Sequence, residues 1–251
     1  MAGDGVIILG GTSAVAERYA RRQAARGARL LLVGRNAERL AVIATDLVER
    51  GAAVAETAVL DLAVPPPEGY EAAWSALVER LGGKVDVVLL AYGVLGDQKA
   101  AEADPAEAVR LLTTNMVGAC AWMTAAAIAV ERQGAGTLIA ISSVAGDRGR
   151  QSNYVYGAAK GGLALFMEGL AHRFAGTAIR VLTVKPGFID TPMTDGMAKG
   201  GPLWASPDKV AADIDRAAVK GRTILYTPWF WGPIMRVIRH LPRAIFHRLK
   251  I

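Results

Sequence analysis

The sequence predicts an α/β fold, a doubly wound parallel sheet of about seven strands with helices on both faces. Short aliphatic or β-branched runs alternate with Ala-rich segments of helical length along the chain, and this alternation is typical of parallel sheets. The runs are almost continuously apolar, as expected of strands buried on both faces. Because ligands of such sheets bind at the carboxyl ends of the strands, functional residues are expected in the loops that follow them.

Seven runs fit the strand pattern. In chain order they are VIILG from Val6, RLLLVG from Arg29, VAETAVL from Val54, VDVVLLA from Val85, GTLIAIS from Gly136, IRVLTVK from Ile179 and TILYT from Thr223. Amphipathic helical segments lie between them, each entered by a turn signal. We find no linker, internal repeat or low-complexity run. A chain of 251 residues can bury a large core, and we predict a single domain.

The composition argues against a membrane-spanning or secreted protein. The longest apolar candidate, ACAWMTAAAIAV, is shorter than the about 18 residues that a spanning helix needs, and the N-terminus lacks a basic region followed by an apolar one. The single cysteine, Cys120, excludes an internal disulfide and favours a reducing compartment. We therefore expect a cytoplasmic protein in which Cys120 is a small core residue.

The net charge of +6 comes from one end of the chain. From Lys220 onward there are seven Lys or Arg and no acid, which leaves 22 bases against 23 acids upstream. A basic end on a near-neutral body favours a local anionic partner, such as a membrane surface or a phosphate. No nucleic-acid-binding signature accompanies it, and no nucleic-acid partner is expected.

The first predicted strand-to-helix turn, LGGTSAVAERYA, is suited to a phosphate group. A strand that ends at Gly10, followed by Gly11, Thr12, Ser13 and a helix, points backbone N–H groups and the positive helix end at one place. Tight turns in any parallel sheet also favour glycine, so the motif alone leaves a purely structural role open.

The end of the second predicted strand, LLLVGRN, bears on cofactor choice. An acid there would bind the ribose 2′-hydroxyl of NAD, whereas an Arg accommodates the 2′-phosphate of NADP. The chain has Arg35 and no acid, which favours NADP(H), although Arg35 could also be a solvated residue at a helix start. Asp61, in VLDL after the third strand, either binds the adenine amino group or caps the segment that follows.

The segment ISSVAGDRGRQSNYVYGAAKGG has the strongest chemical pattern. Tyr156 and Lys160 are four residues apart, so they share one face of a helix and the ammonium can approach the phenol. Lowering a phenol pKa from about 10 toward 7 needs roughly 4 kcal/mol of phenolate stabilisation, which such an ammonium and an oxidised nicotinamide can supply. Ser143, at the end of a predicted strand, can bring a hydroxyl donor to the same point. Tyr154 lacks a matching Lys, because residue 158 is Ala.

Over nearly the whole chain, these motifs resemble the short-chain dehydrogenase/reductase family in order and spacing. The matching residues are Gly10, Asp61, Asn115 in TTNMVG, Ser143, Tyr156 with Lys160, and Pro186 to Thr191 in PGFIDT. The resemblance implies a Rossmann-like fold and hydride transfer between a nicotinamide and a carbonyl or alcohol carbon. It implies that Tyr156 exchanges the proton, Ser143 holds the substrate oxygen, Lys160 binds the nicotinamide ribose and Asn115 holds a relay water.

The resemblance also implies a set of residues that contact NADP(H), and no metal ligands. They are Gly10, Thr12, Ser13, Ala14, Val15, Arg35, Asp61, Leu62, Ala91, Gly93, Tyr156, Lys160, Pro186, Gly187, Ile189 and Thr191. The chain departs from the family pattern at two places. Ala14 and Ala16 replace turn glycines, for which we expect an adjusted cofactor pose. Leu90-Ala91-Tyr92-Gly93 replaces Asn-Asn-Ala-Gly, and Tyr92 either lines the cleft or is a packed surface aromatic.

Within the family, the chain resembles most the reductases of polyprenylphosphoryl 2-keto-pentoses that form decaprenylphosphoryl arabinose. The motifs that carry this are LGGTS, AYGVLGDQ, SSVAGDRGRQSNYVYGAAKGGL, VKPGFIDTPM and PIMRVIRHLPRAIFHRL. The resemblance implies a lipid-linked sugar substrate. A soluble ketone or a 3-ketoacyl thioester is the alternative, and a non-catalytic NADP(H) sensor is a third reading. In DRGRQSN, residues 147–153, polar side chains either address a sugar or phosphate or form a solvated loop.

The closing segment PWFWGPIMRVIRHLPRAIFHRLKI predicts an amphipathic helix that Pro242 interrupts. The apolar residues at helical spacing are Trp231, Ile234, Met235 and Ile238, then Ile245, Phe246 and Leu249. The bases between them are Arg236, Arg239, Arg243, Arg248 and Lys250. Such a segment suits a membrane interface, but it could instead line the substrate pocket or contact another subunit.

We therefore predict an NADP(H)-binding reductase domain over residues 1–226, and a basic, aromatic C-terminal segment of the same domain over 227–251. The expected location is the cytoplasm or the inner face of the membrane. The family resemblance implies a homodimer or homotetramer.

Overall fold

The computed structural model describes residues 4–197 and 199–249, and it confirms the predicted sheet. Seven strands pair in parallel in the order β3-β2-β1-β4-β5-β6-β9. The strands of this sheet are β1 (Gly5–Leu9), β2 (Arg29–Gly34), β3 (Val54–Val59), β4 (Val87–Leu90), β5 (Gly136–Ile141), β6 (Ile179–Pro186) and β9 (Ile224–Thr227). The order reverses between β1 and β4, so a crevice is expected at the carboxyl ends of these strands.

Helices cover both faces of the sheet. They are α1 (Ala14–Ala24), α2 (Ala37–Glu49), α3 (Tyr70–Arg80), α4 (Gln98–Ala103), α5 (Pro105–Leu112), α6 (Gly118–Gln133), α7 (Tyr154–Arg173), α8 (Pro207–Val219), α9 (Trp231–His240) and α10 (Arg243–Phe246). Alternate residues of each central strand enter different cores. Ile7 and Leu9 pack with residues of α3, α6 and α7, whereas Val6 and Ile8 pack with residues of α1, α2 and α8.

A second, two-stranded sheet follows β6 and was not predicted from the sequence. It pairs β7 (Phe188–Ile189) in parallel with β8 (Trp204–Ala205). The rings of Phe188 and Trp204 stack with their centroids 5.3 Å apart. Strands of two residues show no hydrophobic periodicity, which explains why the sequence pattern missed them.

Helices α5 and α6 join through a π-helical turn at Thr113–Val117. Together they run from Pro105 to Gln133, and by length and composition this stretch could cross a membrane. Its central residues are core residues, however, because Trp122, Met123 and Ala126 are at most 1% exposed among the side chains of α3 and α7. We interpret it as a core helix of the domain.

The C-terminal segment forms helices as predicted, and part of the apolar face of α9 packs against the body of the protein. Trp231 and Met235 are buried against Val144, with Phe188 and Tyr226 packed beside them. Trp231 and Met235 therefore face the body of the protein, and a membrane contact of this segment stays a prediction. Apolar side chains that remain exposed are those of Trp229, Val237, Ile245 and Leu249. Lys250, one of the predicted bases, lies outside the described residues.

Candidate active site

A large cleft lies at the carboxyl ends of the strands and has a volume of about 1000 Å³. All sixteen residues predicted to contact the cofactor line it, from Gly10 in the first turn to Thr191 after β7. Ser143 lines it as well. These residues lie at or after the carboxyl ends of six strands of the main sheet, β1 to β6, and of β7. Their convergence follows from the parallel sheet, since every strand delivers its following loop to the same edge.

The turn after β1 forms one end of the cleft. Gly10 has a φ of +93°, and a Cβ there would lie 2.6 Å from the backbone nitrogen of Tyr92, so this position requires glycine. Helix α1 begins at Ala14 after Ser13, and the N–H groups of its first turn lack carbonyl partners within the helix. Ala16 is fully buried in the core against the sheet, as expected for an alanine at the helix–strand contact.

Two arginines stand at the far wall of the cleft. Arg35, after β2, is largely exposed, and its Nη1 lies 3.9 Å from Oδ2 of Asp61. The other oxygen of Asp61 accepts a hydrogen bond of 3.0 Å from the Ala63 N–H. Arg39 also lines the cleft, and the sequence analysis missed it. Arg39 follows Arg35 by four residues and lies in the first turn of α2, and this spacing could have indicated that the two side chains lie near each other.

Ser143, Tyr156 and Lys160 meet in the cleft because β5 and α7 are tied together. The buried Ser142 hydroxyl donates a 2.7 Å hydrogen bond to the Lys160 carbonyl. A Cβ at Gly146 would lie 2.5 Å from the Gly161 nitrogen, so the two backbones touch. This close contact sets the end of β5 against the first turns of α7.

The electrostatics of the three groups differ. Burial raises the pKa of Tyr156 to about 12, and a hydrogen bond with Ser143 opposes this rise. Burial lowers the pKa of Lys160 to about 8. The Lys160 ammonium donates a 2.9 Å hydrogen bond to the Ile141 carbonyl and lies 5.9 Å from the centre of the Tyr156 ring. The Ser143 Oγ accepts a 3.1 Å hydrogen bond from the Ala145 N–H, so its O–H is the group that can donate toward Tyr156 and the cleft.

Asn115 lies behind the cleft wall and does not line the cleft. Its side-chain amide donates to the carbonyls of Val94 at 2.9 Å and Leu111 at 3.0 Å, and its Oδ1 accepts from the Val94 N–H at 2.9 Å. The side chain thus braces the loop after β4 beside Lys160. Its role in holding a relay water stays a prediction: both N–H groups of the side chain are used, and Oδ1 keeps one acceptor position.

Tyr92 satisfies both interpretations of its position, since it lines the cleft and packs against the core. Its hydroxyl donates a 3.3 Å hydrogen bond to the Leu62 carbonyl, which also accepts one of 3.2 Å from the Trp122 indole. Burial raises the pKa of Tyr92 above its ordinary value. Tyr92 therefore fastens the end of β4 to the loop after β3.

The loop 147–153 divides into two parts. Asp147 and Arg148 turn away from the cleft: Asp147 pairs with Lys185 at 2.6 Å, and Arg148 donates to the carbonyls of Ile238 and Leu241 at the end of α9. Arg150, Ser152 and Asn153 line the cleft. Gln151 is exposed. Neither alternative holds for Asp147 and Arg148, because both are bound by other parts of the protein.

The wall of the cleft opposite the first turn is apolar. It includes Phe188, Met193, Met197, Leu203, Trp231, Ile234 and Ile238. The helical spacing of Trp231, Ile234 and Ile238 identified one apolar face in the sequence. No sequence signal pointed to Met193, Met197 or Leu203, because their placement depends on the small sheet that follows β6.

A parallel sheet with a glycine turn after β1, an Arg after β2 and a Ser-Tyr-Lys cluster after β5 defines an oxidoreductase that uses a nicotinamide dinucleotide. The chain belongs to the short-chain dehydrogenase family, whose model matches residues 4–200.

Known relatives agree with this assignment. An uncharacterised oxidoreductase of Mycobacterium tuberculosis is 41% identical over 244 residues, which cover 97% of this chain and 96% of the relative. A 3-oxoacyl-[acyl-carrier-protein] reductase of Bos taurus is 30% identical and covers 92% of this chain and 94% of its own length. Among solved structures, a variant actinorhodin polyketide ketoreductase with NADPH has a TM-score of 0.78 at 26% identity, over 90% of this chain and 97% of that one.

Proposed function

We propose that the protein reduces a ketone to a secondary alcohol with NADPH and that Tyr156 donates the proton. The observation that carries this proposal is the convergence of Ser143, Tyr156 and Lys160 in one cleft whose other end contains a helix N-terminus and Arg35. The NADPH-bound ketoreductase of the same fold supports it.

The residues present fit a dinucleotide. Unpartnered N–H groups at the start of α1 suit a pyrophosphate, and the Asp61 carboxylate suits an adenine amino group. Arg35, with Arg39 beside it, suits a 2′-phosphate, because guanidinium groups bind phosphates through paired hydrogen bonds. When bound, the nicotinamide supplies the hydride.

The protein groups manage the substrate oxygen and the proton. Ser143, which neighbours Tyr156, would donate its O–H to the carbonyl oxygen when substrate is bound and so polarise the carbon for reduction. Because the pKa of Tyr156 is raised to about 12, the phenol keeps its proton at neutral pH and can give it to the developing alkoxide. Lys160, anchored on Ile141, sits where a ribose hydroxyl is expected in this family.

The test is NADPH oxidation over a panel of ketones, comparing the wild type with Tyr156→Phe. We expect Tyr156→Phe to lower kcat by about 10²- to 10⁴-fold, the usual contribution of proton transfer. Tyr154→Phe is a matched control, since Tyr154 lies two residues away and is 45% exposed. Unchanged turnover in Tyr156→Phe would contradict the proposed role. A protein that binds NADPH but reduces no ketone would instead be the NADP(H) sensor.

For the substrate, we propose a polyprenylphosphoryl 2-keto-pentose or a similar lipid-linked sugar. The apolar wall of the cleft beside α9 and the polar side chains of Arg150, Ser152 and Asn153 together suit an amphiphilic molecule. The alternative is a soluble ketone or a 3-ketoacyl thioester, which the bovine 3-oxoacyl-[acyl-carrier-protein] reductase favours. NADPH oxidation with a membrane-lipid extract fractionated by phosphate content separates the two, because activity restricted to soluble ketones contradicts the lipid-sugar proposal.

Delivery of such a substrate would use the C-terminal segment at the inner face of the membrane. The exposed apolar residues Trp229 and Ile245 belong to a segment whose bases have no neighbouring acid in the sequence, and apolar burial and attraction to anionic lipid add. Trp229→Ser with Ile245→Ser should reduce flotation with anionic vesicles, whereas Val42→Ser, which alters a residue 70% exposed on α2, should not. Equal flotation of all three proteins would contradict this proposal.

The assembly belongs to the same proposal. We propose a homodimer or homotetramer in the cytoplasm, and light scattering after gel filtration measures the assembly directly. A monomer at micromolar concentration would contradict it.

A further inference from the structure

Arg150 is a partly buried cation in the cleft that has no acidic partner. Its guanidinium Nε is buried and makes no hydrogen bond with any of the described residues. Within residues 4–197 and 199–249, no carboxylate lies within 4.0 Å of it. Burial alone lowers the pKa of Arg150, as expected where no neighbouring anion stabilises the charge. Such a group costs free energy unless an anion compensates it.

A second unpartnered polar atom lies on the same turn. The Asn153 N–H donates a 3.1 Å hydrogen bond to the Arg150 carbonyl, so the two residues form one turn before α7. The Oδ1 of Asn153 is buried, and no hydrogen-bond donor in the described part of the chain reaches it. Buried polar groups in native proteins are nearly always paired. Two such atoms, both on cleft-lining residues, therefore point to a ligand.

Neighbouring arginines show the contrast. Arg148, two residues before Arg150, donates to backbone carbonyls of α9 and stacks on Phe246 at 3.7 Å. Arg110, which also lines the cleft, makes two hydrogen bonds with Glu107 at 2.6 and 2.7 Å. Of these three, Arg150 is the one whose side chain has no hydrogen-bond or ion-pair partner among the described residues. It also stands in the loop after β5, away from the turn after β1 and from Arg35, where the cofactor phosphates are expected.

We propose that the ketone substrate carries an anionic group, a phosphate or a carboxylate, which Arg150 binds while Asn153 accepts a hydrogen bond from a neighbouring substrate hydroxyl. This inference rests on the proposed reductase function and adds the substrate class. Arg150 precedes Tyr156 by six residues, so one short loop would hold the anionic group and the next helix would present the proton donor. Guanidinium suits either anion, because both offer two oxygens to its fork of donors.

The test uses matched probe pairs that differ in charge. They are dihydroxyacetone phosphate with dihydroxyacetone, and 4-oxopentanoate with its methyl ester. Calorimetry measures binding of each probe to the NADPH-saturated protein, and NADPH oxidation measures turnover. We expect the wild type to prefer one anionic member over its neutral partner by about 10- to 100-fold, the usual effect of a charge-assisted hydrogen bond. The pair with the larger preference tells phosphate from carboxylate.

The variants locate the effect. Arg150→Gln should abolish the preference, mainly through KM, and Arg150→Lys should restore part of it. Gln151→Ala is the matched control, because Gln151 is the exposed neighbour, and it should keep the preference. Using the ratio within each pair removes any general loss of folding or activity from the comparison.

The outcomes separate the two proposals. Equal binding of the anionic and neutral probes by the wild type overturns the anionic-substrate inference, as does a preference that Arg150→Gln retains. Binding that depends on Arg150 without turnover of any ketone supports the inference and contradicts the reductase function. Turnover with no charge preference supports the function and overturns the inference.

Discussion

Removing the carboxylate of Asp147 should destabilise the protein strongly. Its side chain is 1% exposed, and its two oxygens bind the Lys185 ammonium at 2.6 Å and the Tyr226 hydroxyl at 2.7 Å. Lys185 is itself only 12% exposed. Asp147→Ala therefore leaves a buried ammonium and a buried hydroxyl without their partner. Breaking a buried ion pair in this way costs about 3–5 kcal/mol, a large part of the about 5–15 kcal/mol that stabilises a typical domain.

Urea unfolding followed by circular dichroism measures this cost. Asp147→Asn keeps an oxygen for Tyr226 and should lose less than Asp147→Ala. The double variant Asp147→Ala with Lys185→Met should recover part of the loss, because no unpaired charge remains. Asp195→Ala is the control, since its pair with Lys199 is exposed, and its stability should hardly change. If Asp147→Ala behaves like Asp195→Ala, the ion pair does not stabilise this fold and the reasoning is refuted.

Three further predictions concern the cofactor site, Lys160 and the base of α9. Arg35→Ser should lower kcat/KM for NADPH by about 10- to 100-fold and leave that for NADH nearly unchanged, because only the contact with the 2′-phosphate is lost; equal losses for the two cofactors in steady-state assays would argue against this contact. Burial lowers the pKa of Lys160 to about 8. Above that pH the folded protein has lost the Lys160 proton, whereas the unfolded chain still binds it, so raising the pH favours the folded state. The cofactor-free wild type should therefore gain about 1 kcal/mol between about pH 8 and about pH 9 relative to Lys160→Met, and parallel curves of unfolding free energy against pH would contradict it. At Gly187, a Cβ would lie 1.9 Å from Nε1 of Trp231, so Gly187→Ala should cost about 1–3 kcal/mol through overpacking. That cost should largely disappear in the Trp231→Ala background, and additive losses would show that the two residues are not in contact.

The main sheet could be predicted from the sequence because each strand is a short apolar run between turn signals. All seven predicted runs overlap observed strands, and the second, Arg29–Gly34, has the predicted limits. The fourth begins at Val87 and not at Val85, since strand ends depend on pairing with neighbours that a local pattern does not contain. Strands β7 and β8 lie beyond such a pattern, because each has only two residues.

The same limit applies to the candidate site: residues within a continuous motif could be predicted, and residues placed by long-range contacts could not. Residues in continuous motifs, such as Tyr156 with Lys160 or Gly10 in its turn, could be placed in one cleft because parallel strands deliver their loops to one edge. Arg39 was missed because it has no motif of its own. Asn115 could be predicted as a site residue, but its hydrogen-bond partners could not. Val94 and Leu111 reach its amide because of the π-helical turn and the loop after β4, which the sequence pattern does not show.

The sequence does not show which side of an amphipathic segment faces the protein. The loop 147–153 and α9 illustrate this. The same helical spacing in α9 fits a membrane, a pocket or a subunit. In the structure Arg148 binds the carbonyls at the end of α9 and stacks on Phe246, and Trp231 and Met235 pack against Val144. Arg150, two residues further, lacks any such partner and is left for the cleft. The loop thus holds the C-terminal segment through Arg148 and leaves Arg150 for the substrate. Because both arginines belong to this loop, Arg148→Ala should weaken the charge preference assigned to Arg150 without changing the affinity for NADPH. A charge preference that stays at the wild-type ratio would show that the two arginines act independently.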